Sequence, residues 1–139
     1  MTIKKKVVKN PKVPRTRNNN TLTESAFWGF IRSTLRNASR WWKPIAQCKL
    51  NSRRTYKGVN KLQKWEYLCN HCNNWFMDKQ VQVDHIIDCG TLTCSKDVAG
   101  FIERLFCEEQ GFQTLCKECH QIKTNSVREN KKLNSAKKI

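Results

Sequence analysis

The chain has 139 residues, enough for one small domain whose core is marginal without a staple. Its 27 Lys and Arg outnumber 11 Asp and Glu, for a net charge of +16, and no apolar run approaches the about 20 residues of a membrane span. These figures argue against a membrane-embedded protein and point to a polyanionic partner.

In chain order, residues 1–20 carry seven basic side chains, no acidic one, Pro11, Pro14 and Asn18-Asn19-Asn20. Such a segment cannot build a core and is expected to be a disordered basic arm, touching phosphates or serving solubility. Lys4-Lys5-Lys6 is followed only by Val7-Val8 before Lys9, too short for the apolar stretch of a secretory leader. Residues 21–64 read as a basic helical region. Thr21-Leu-Thr-Glu24 has capping-box spacing, and Phe27, Trp28, Ile31, Leu35 and Ala38 recur at helical intervals, predicting a helix over about 23–40. Arg32, Arg36 and Arg40 form a stripe on its other side. Trp41-Trp42-Lys43-Pro44 breaks that helix, and Pro44 is suited to open another through Ile45, Ala46, Cys48 and Lys49. Both tryptophans are expected between the helices, with base stacking as the other role open to them. Residues 50–64, with Arg53, Arg54, Lys57, Gly58, Lys61 and Lys64, read as a basic loop.

Trp65–Leu68 is expected to be a strand entering a first knuckle, Cys69-Asn-His-Cys72. Trp75-Phe76 and Val81–Ile87 follow as two short strands, predicted to pair as a hairpin across Met77–Gln80 with Val81, Val83 and His85 on one face. Cys89–Ser95 is a loop, after which Ser95 or Asp97 caps a helix. Its apolar face is Val98, Phe101, Ile102, Leu105 and Phe106, and it is expected to end near Gly111 and pack on the hairpin. Gln113-Thr114-Leu115 leads into a second knuckle, Cys116-Lys-Glu-Cys119, and a helix is predicted from Cys119. On it His120, Lys123 and Thr124 share a face, as phosphate binding requires. Residues 126–139 read as a fraying basic tail.

The two Cys-x-x-Cys pairs are separated by 43 residues and supply four sulfur ligands, the donor set of a tetrahedral structural zinc. A disulfide pair or a redox motif is the alternative, disfavoured by a reducing compartment. His71 is expected on the surface or as a donor to the zinc ligands. Cys107 reads as core, whereas Cys89 and Cys94 could form a further metal or redox pair. Asp84, His85 and His120 are not needed by zinc and suggest a second, catalytic site. Consecutive strand residues point to opposite faces, so Asp84 and His85 can share a site only if the strand ends or bulges there.

Val-Asp84-His85-Ile together with Leu-Cys116-x-x-Cys119-His120-x-x-Lys123-Thr124 resembles the HNH endonucleases of the ββα-metal (His-Me finger) fold, in particular small phage-type members with two Cys-x-x-Cys pairs. The likeness covers roughly residues 65–125. It implies an α+β chain in which a ββα-metal module, stapled by a four-cysteine zinc, follows the basic arm and helical region. By this resemblance Asp84 and His120 bind a catalytic divalent metal, Mg²⁺ or Mn²⁺, and His85 is the general base. Lys123, Thr124, Arg32, Arg36, Arg40, Arg53 and Arg54 are the expected DNA contacts. The middle asparagine of the family has no counterpart: the place reads Glu109-Gln110-Gly111-Phe112-Gln113, with Gln110 or Gln113 as substitutes.

The implied activity is hydrolysis of phosphodiester bonds in double-stranded DNA. A metal held by one carboxylate and one imidazole keeps room for water and phosphate oxygens, and an imidazole exchanges protons near neutral pH. The resemblance further implies an intracellular protein of phage or prophage origin in the bacterial cytoplasm, with phage DNA-processing or packaging proteins as possible partners. Two rivals stand beside it, a non-catalytic zinc module that binds nucleic acid and an accessory subunit active only on a larger machine. Charge by segment supports a division of labour. Residues 1–20, 21–68 and 126–139 sum to +7, +8 and +4, whereas residues 69–125 sum to −3. Basic flanks would position the polyanion and the metal-bearing part would act on it.

Overall fold

The computed structural model describes residues 12–137. It is a mixed α and β chain of four helices and three small antiparallel sheets.

The first sheet corrects the disordered arm for its second half. Strands β1 (Arg15–Arg17) and β2 (Leu22–Thr23) pair across a turn in which Asn18, Asn19 and Asn20 all have positive φ, at 52°, 54° and 61°. Asparagine tolerates that left-handed region because its short amide bonds locally. Arg17 closes the turn from outside, its guanidinium bidentate on the Glu24 carboxylate at 2.9 and 3.0 Å and lying 4.3 Å from the Phe27 ring centre. Residues 1–11, the rest of the expected arm, lie outside the described residues.

Helix α1 spans Glu24–Ser39. Its N-cap is Thr23, whose hydroxyl accepts from the Ala26 N–H at 3.1 Å. The cap is therefore two residues past the expected Thr21 and no capping box forms, since Ala26 stands where its Glu or Gln would, and Glu24 instead accepts from the Trp28 indole at 2.9 Å. Trp28 is buried, Phe27, Ile31 and Leu35 are half-buried, and Ala38 is exposed rather than core. Helix α2, Lys43–Asn51, begins with Pro44 in its first turn, where the missing N–H costs nothing. Of the two tryptophans only Trp42 packs: its indole N–H donates to the Cys107 carbonyl at 2.7 Å and its ring meets Phe106 edge-on at 5.4 Å. Trp41 is 87% exposed, against the expectation that it lies between helices.

The second sheet has the order β3–β4–β5, from Arg53–Thr55, Trp65–Leu68 and Trp75–Phe76. Part of the expected basic loop is thus a strand, and residues 56–64 are the tip of a hairpin. The third sheet pairs β6 (Val81–His85) with β7 (Phe112–Cys116), register Val81 to Cys116 through His85 to Phe112. This corrects the topology. Trp75-Phe76 pairs back onto Leu68 and Tyr67, not onto β6, because the knuckle turn between Cys69 and Asn74 already folds that strand home. The partner of β6 lies beyond helix α3, Val98–Leu105, which ends well before Gly111.

Helix α4 starts at Lys117 with Cys116 as N-cap and runs to Ala136. The C-terminal tail, read as fraying, is helical through its described part except Lys137. Two apolar clusters result. One gathers Trp28, Cys89, Leu92, Phe101 and Leu105 beneath α1 and α3, and the other gathers Leu115 with the knuckle cysteines Cys69, Cys116 and Cys119. No helix of the described residues is long and apolar enough to cross a membrane.

Candidate functional site

Cys69, Cys72, Cys116 and Cys119 bring their four sulfur atoms within 4.8 Å of one another. Four ligands around one zinc, each about 2.3 Å from it, sit about 3.8 Å apart, so the cluster fits a tetrahedral metal. Local backbone explains the convergence. The first knuckle closes through Cys69 N–H to Asn74 O and Asn73 N–H to Cys69 O, with Asn73 in the left-handed region, and Asn70 N–H reaches Thr114 O at 2.9 Å to join it to β7. The second knuckle is the start of α4, where Cys116 Sγ accepts from Cys119 N–H at 3.4 Å.

Titration within the cluster points the same way. Burial pushes the Cys69 thiol up, but hydrogen bonds from the backbone at Cys116, Cys72 and His71 and from the Cys72 thiol bring it down to about 6. Cys119 is pushed up to about 12 by its hydrogen bond to Cys116, by burial and by its bonds to Cys69 and Cys72, and Cys116 is also raised, first by burial. The Cys69 thiolate thus forms easily and disfavours ionisation of Cys116 and Cys119, because crowded sulfurs repel as anions. A bound cation removes that penalty. The four cysteines can hold a structural metal such as zinc. His71 is exposed and Cys94 is exposed while Cys89 is buried in the α1–α3 core. Cys107 lies past the end of α3, half-buried rather than inside a helix.

The second site is a cleft of about 250 Å³ between β6, α1 and α4, lined by Asp84, His85, Asp88, Arg36, Lys123, Thr124, Arg128 and Lys131 among others. Asp84 and His85 both reach it, since β6 ends at His85 as the sequence argument required. The His85 ring lies 4.7 Å from Phe112, its partner across the sheet, and its Nε2 is 3.0 Å from the Leu105 carbonyl. A carbonyl only accepts, so Nε2 donates, and the neutral ring carries its lone pair on Nδ1. His120 Nε2 stands 3.8 Å from Asp84 Oδ1. Two ligands at about 2.1 Å from one ion are at most about 4.2 Å apart, so this pair can share a divalent cation. Lys123 Nζ meets the other carboxylate oxygen, Asp84 Oδ2, at 2.5 Å and also donates to the His85 carbonyl.

The remaining expected contacts separate. Lys123 and Thr124 line the cleft, though the Thr124 hydroxyl is turned to its own helix, donating to the His120 carbonyl at 3.0 Å. Arg36 lines it too, whereas Arg32 and Arg40 are exposed elsewhere on α1. Arg53 and Arg54 stack on their own sheet, 3.9 Å from the Trp65 ring and 3.7 Å from the Trp75 ring, and Arg54 also pairs with Glu66 at 2.6 Å. Neither Gln110 nor Gln113, the residues expected to hold the His85 segment, hydrogen-bonds His85. Gln110 is exposed, and Gln113 accepts from Asn70 at 3.1 Å. The Leu105 carbonyl does the bracing, a backbone role that leaves no mark in a side-chain pattern. Arg128 and Lys131 were missed because their segment was read as tail; their place about one and two turns beyond Thr124 on a continuing helix was the available signal.

Compared with family models, with curated proteins and with solved structures, the chain matches none of them.

Proposed function

We propose that the chain is a metal-dependent endonuclease of the HNH type that hydrolyses phosphodiester bonds in duplex DNA. The observation that carries this reading is the orientation of His85: Nε2 is committed to Leu105 O, leaving Nδ1 to accept a proton, and the residue lines a cleft with Asp84, whose carboxylate lies 3.8 Å from His120 Nε2. Held by a carbonyl, the ring keeps one tautomer and one direction, as a general base requires. Nδ1 takes the proton of the attacking water. Asp84 and His120 would hold Mg²⁺ or Mn²⁺, which when bound stabilises the charge that develops on the phosphate. Arg36, Lys123, Arg128 and Lys131 line the same cleft from α1 and α4 and attract phosphates on either side of the cut.

One observation favours a second reading, a phosphate-binding zinc module without chemistry: the Lys123 ammonium already lies on Asp84. Cleavage of supercoiled plasmid with Mg²⁺ or Mn²⁺ separates them. Wild type is expected to nick or linearise it, chelation to stop the reaction, and His85→Ala to lose about 100-fold or more in rate while still binding DNA. Binding without cleavage by the wild type would install the second reading.

A further inference from the structure

The hairpin tip between β3 and β4 carries a feature that the cleft does not use. Val59 is 96% exposed and Leu62 is 93% exposed. Apolar side chains this bare are individually common, but these two share one turn with the exposed Lys57, Lys61 and Lys64, and residues 56–64 contain no acidic side chain. The tip is also built to hold its shape. Tyr56 N–H bonds Lys64 O at 2.9 Å, Gln63 N–H bonds Asn60 O at 3.1 Å, and the Asn60 side chain accepts from Leu62 N–H at 3.1 Å. Gly58 leaves room for the Tyr56 ring, which a Cβ at that position would strike. Below the tip the hairpin is stiffened by Arg53 over Trp65. A groove of about 430 Å³ continues from Leu62 along Trp65, Tyr67 and Met77, with Lys64 and Lys79 among its polar lining.

A β-hairpin whose nine-residue tip presents two apolar side chains ringed by lysines has the chemistry of a minor-groove wedge: cations meet the phosphates on both walls while apolar groups press on the base steps. We propose that residues 56–64 form a second contact with duplex DNA, with Val59 and Leu62 entering the minor groove and bending the helix. This rests on the reading of the chain as a DNA-acting protein. The same charge and apolarity would also suit an anionic lipid surface; the hairpin's place on a chain whose cleft is ringed by four cationic side chains favours DNA.

The test uses the full zinc-loaded chain and a fluorescent duplex. Binding is read by anisotropy across a salt series and bending by energy transfer between the duplex ends, for wild type, Val59→Ser with Leu62→Ser, and Lys57→Ala with Lys61→Ala and Lys64→Ala. Because all five side chains are exposed, helical content and zinc should match wild type. The triple variant is expected to lower the slope of log affinity against log salt by about 2 to 3, at about 0.9 per phosphate contact. The double variant should keep the slope, bind about tenfold more weakly and lose the bend. If both variants bind and bend DNA as wild type does, the inference fails while the nuclease reading stands. If wild type binds no DNA, both fall. A parallel arm with phosphatidylglycerol–phosphatidylcholine vesicles covers the other surface: capture by vesicles that the double variant abolishes, with DNA binding unaltered, would overturn the proposal in favour of lipid.

Discussion

The two halves of the molecule that face each other across the cleft are held by different physics. On one side Trp28, Leu92, Phe101 and Leu105 are packed between α1 and α3, an ordinary apolar cluster with Phe101 and Leu92 wholly buried. On the other, Leu115 and Phe76 are the main carbon partners of four sulfurs at the junction of β4, β7 and the start of α4. The site draws on both. Asp84 and His120 stand on elements that the sulfur cluster organises, whereas the carbonyl that orients His85 is the last residue of α3. The contrast teaches that the sulfur half carries Asp84 and His120 while the apolar half sets the direction of the His85 ring.

Denying the four cysteines a metal should test the contrast most severely. A structural zinc contributes on the order of 10 kcal/mol to folding, so a strong chelator or Cys69→Ser is expected to melt the knuckle half. If the halves are separable, helical circular dichroism from α1 and α3 survives while amide protection in β6 and β7 is lost. A single cooperative loss of both would show one folding unit and break the comparison.

Phe101→Ala addresses the other half. Emptying a wholly buried aromatic site costs about 3–5 kcal/mol, and the expected denaturation midpoint falls accordingly with zinc still bound. The cleft should feel it through Leu105, four residues along α3, so the imidazole resonances of His85 are expected to shift while those of His120 stay. Equal shifts at both would contradict the division of roles.

The smallest effect is expected at the clasp between β1 and α1. Hydrogen bonds from Arg17 and then Trp28 hold the Glu24 carboxyl down from 4.5 to about 2, against a smaller opposing effect of burial. A carboxyl depressed in the folded state stabilises above its ordinary value, and the contribution is lost as pH falls toward about 2. Comparing wild type with Glu24→Gln between pH 5 and 2, the wild-type advantage should shrink on acidification and be modest throughout, since the pair is exposed. An advantage that grows with acid would reverse the sign of the argument.

Much of the local structure was legible because it follows from short-range rules. The helical spacing of Phe27, Trp28 and Ile31 marks α1, Pro44 marks the start of α2, and the two Cys-x-x-Cys spacings mark a metal cluster whatever surrounds them. Asp84 was singled out through its neighbours, not by periodicity: the pair Asp84-His85 stood out only with His120 in view. What periodicity could not supply was pairing. Trp75-Phe76 and Val81–His85 both read as strands, and nothing within four residues distinguishes a partner next door from one more than 25 residues away.

By itself, then, the sequence determined helices α1 and α2, the four clustered sulfurs and the net positive charge, because each depends on residue type and spacing alone. Only the tertiary structure decided that β6 pairs with β7, that Lys123 lies on Asp84, that Arg53 and Arg54 are spent on tryptophans, and that the Leu105 carbonyl directs His85. Those are contacts between residues 12 to 39 positions apart, and their selection depends on which surfaces the apolar core and the sulfur cluster bring face to face.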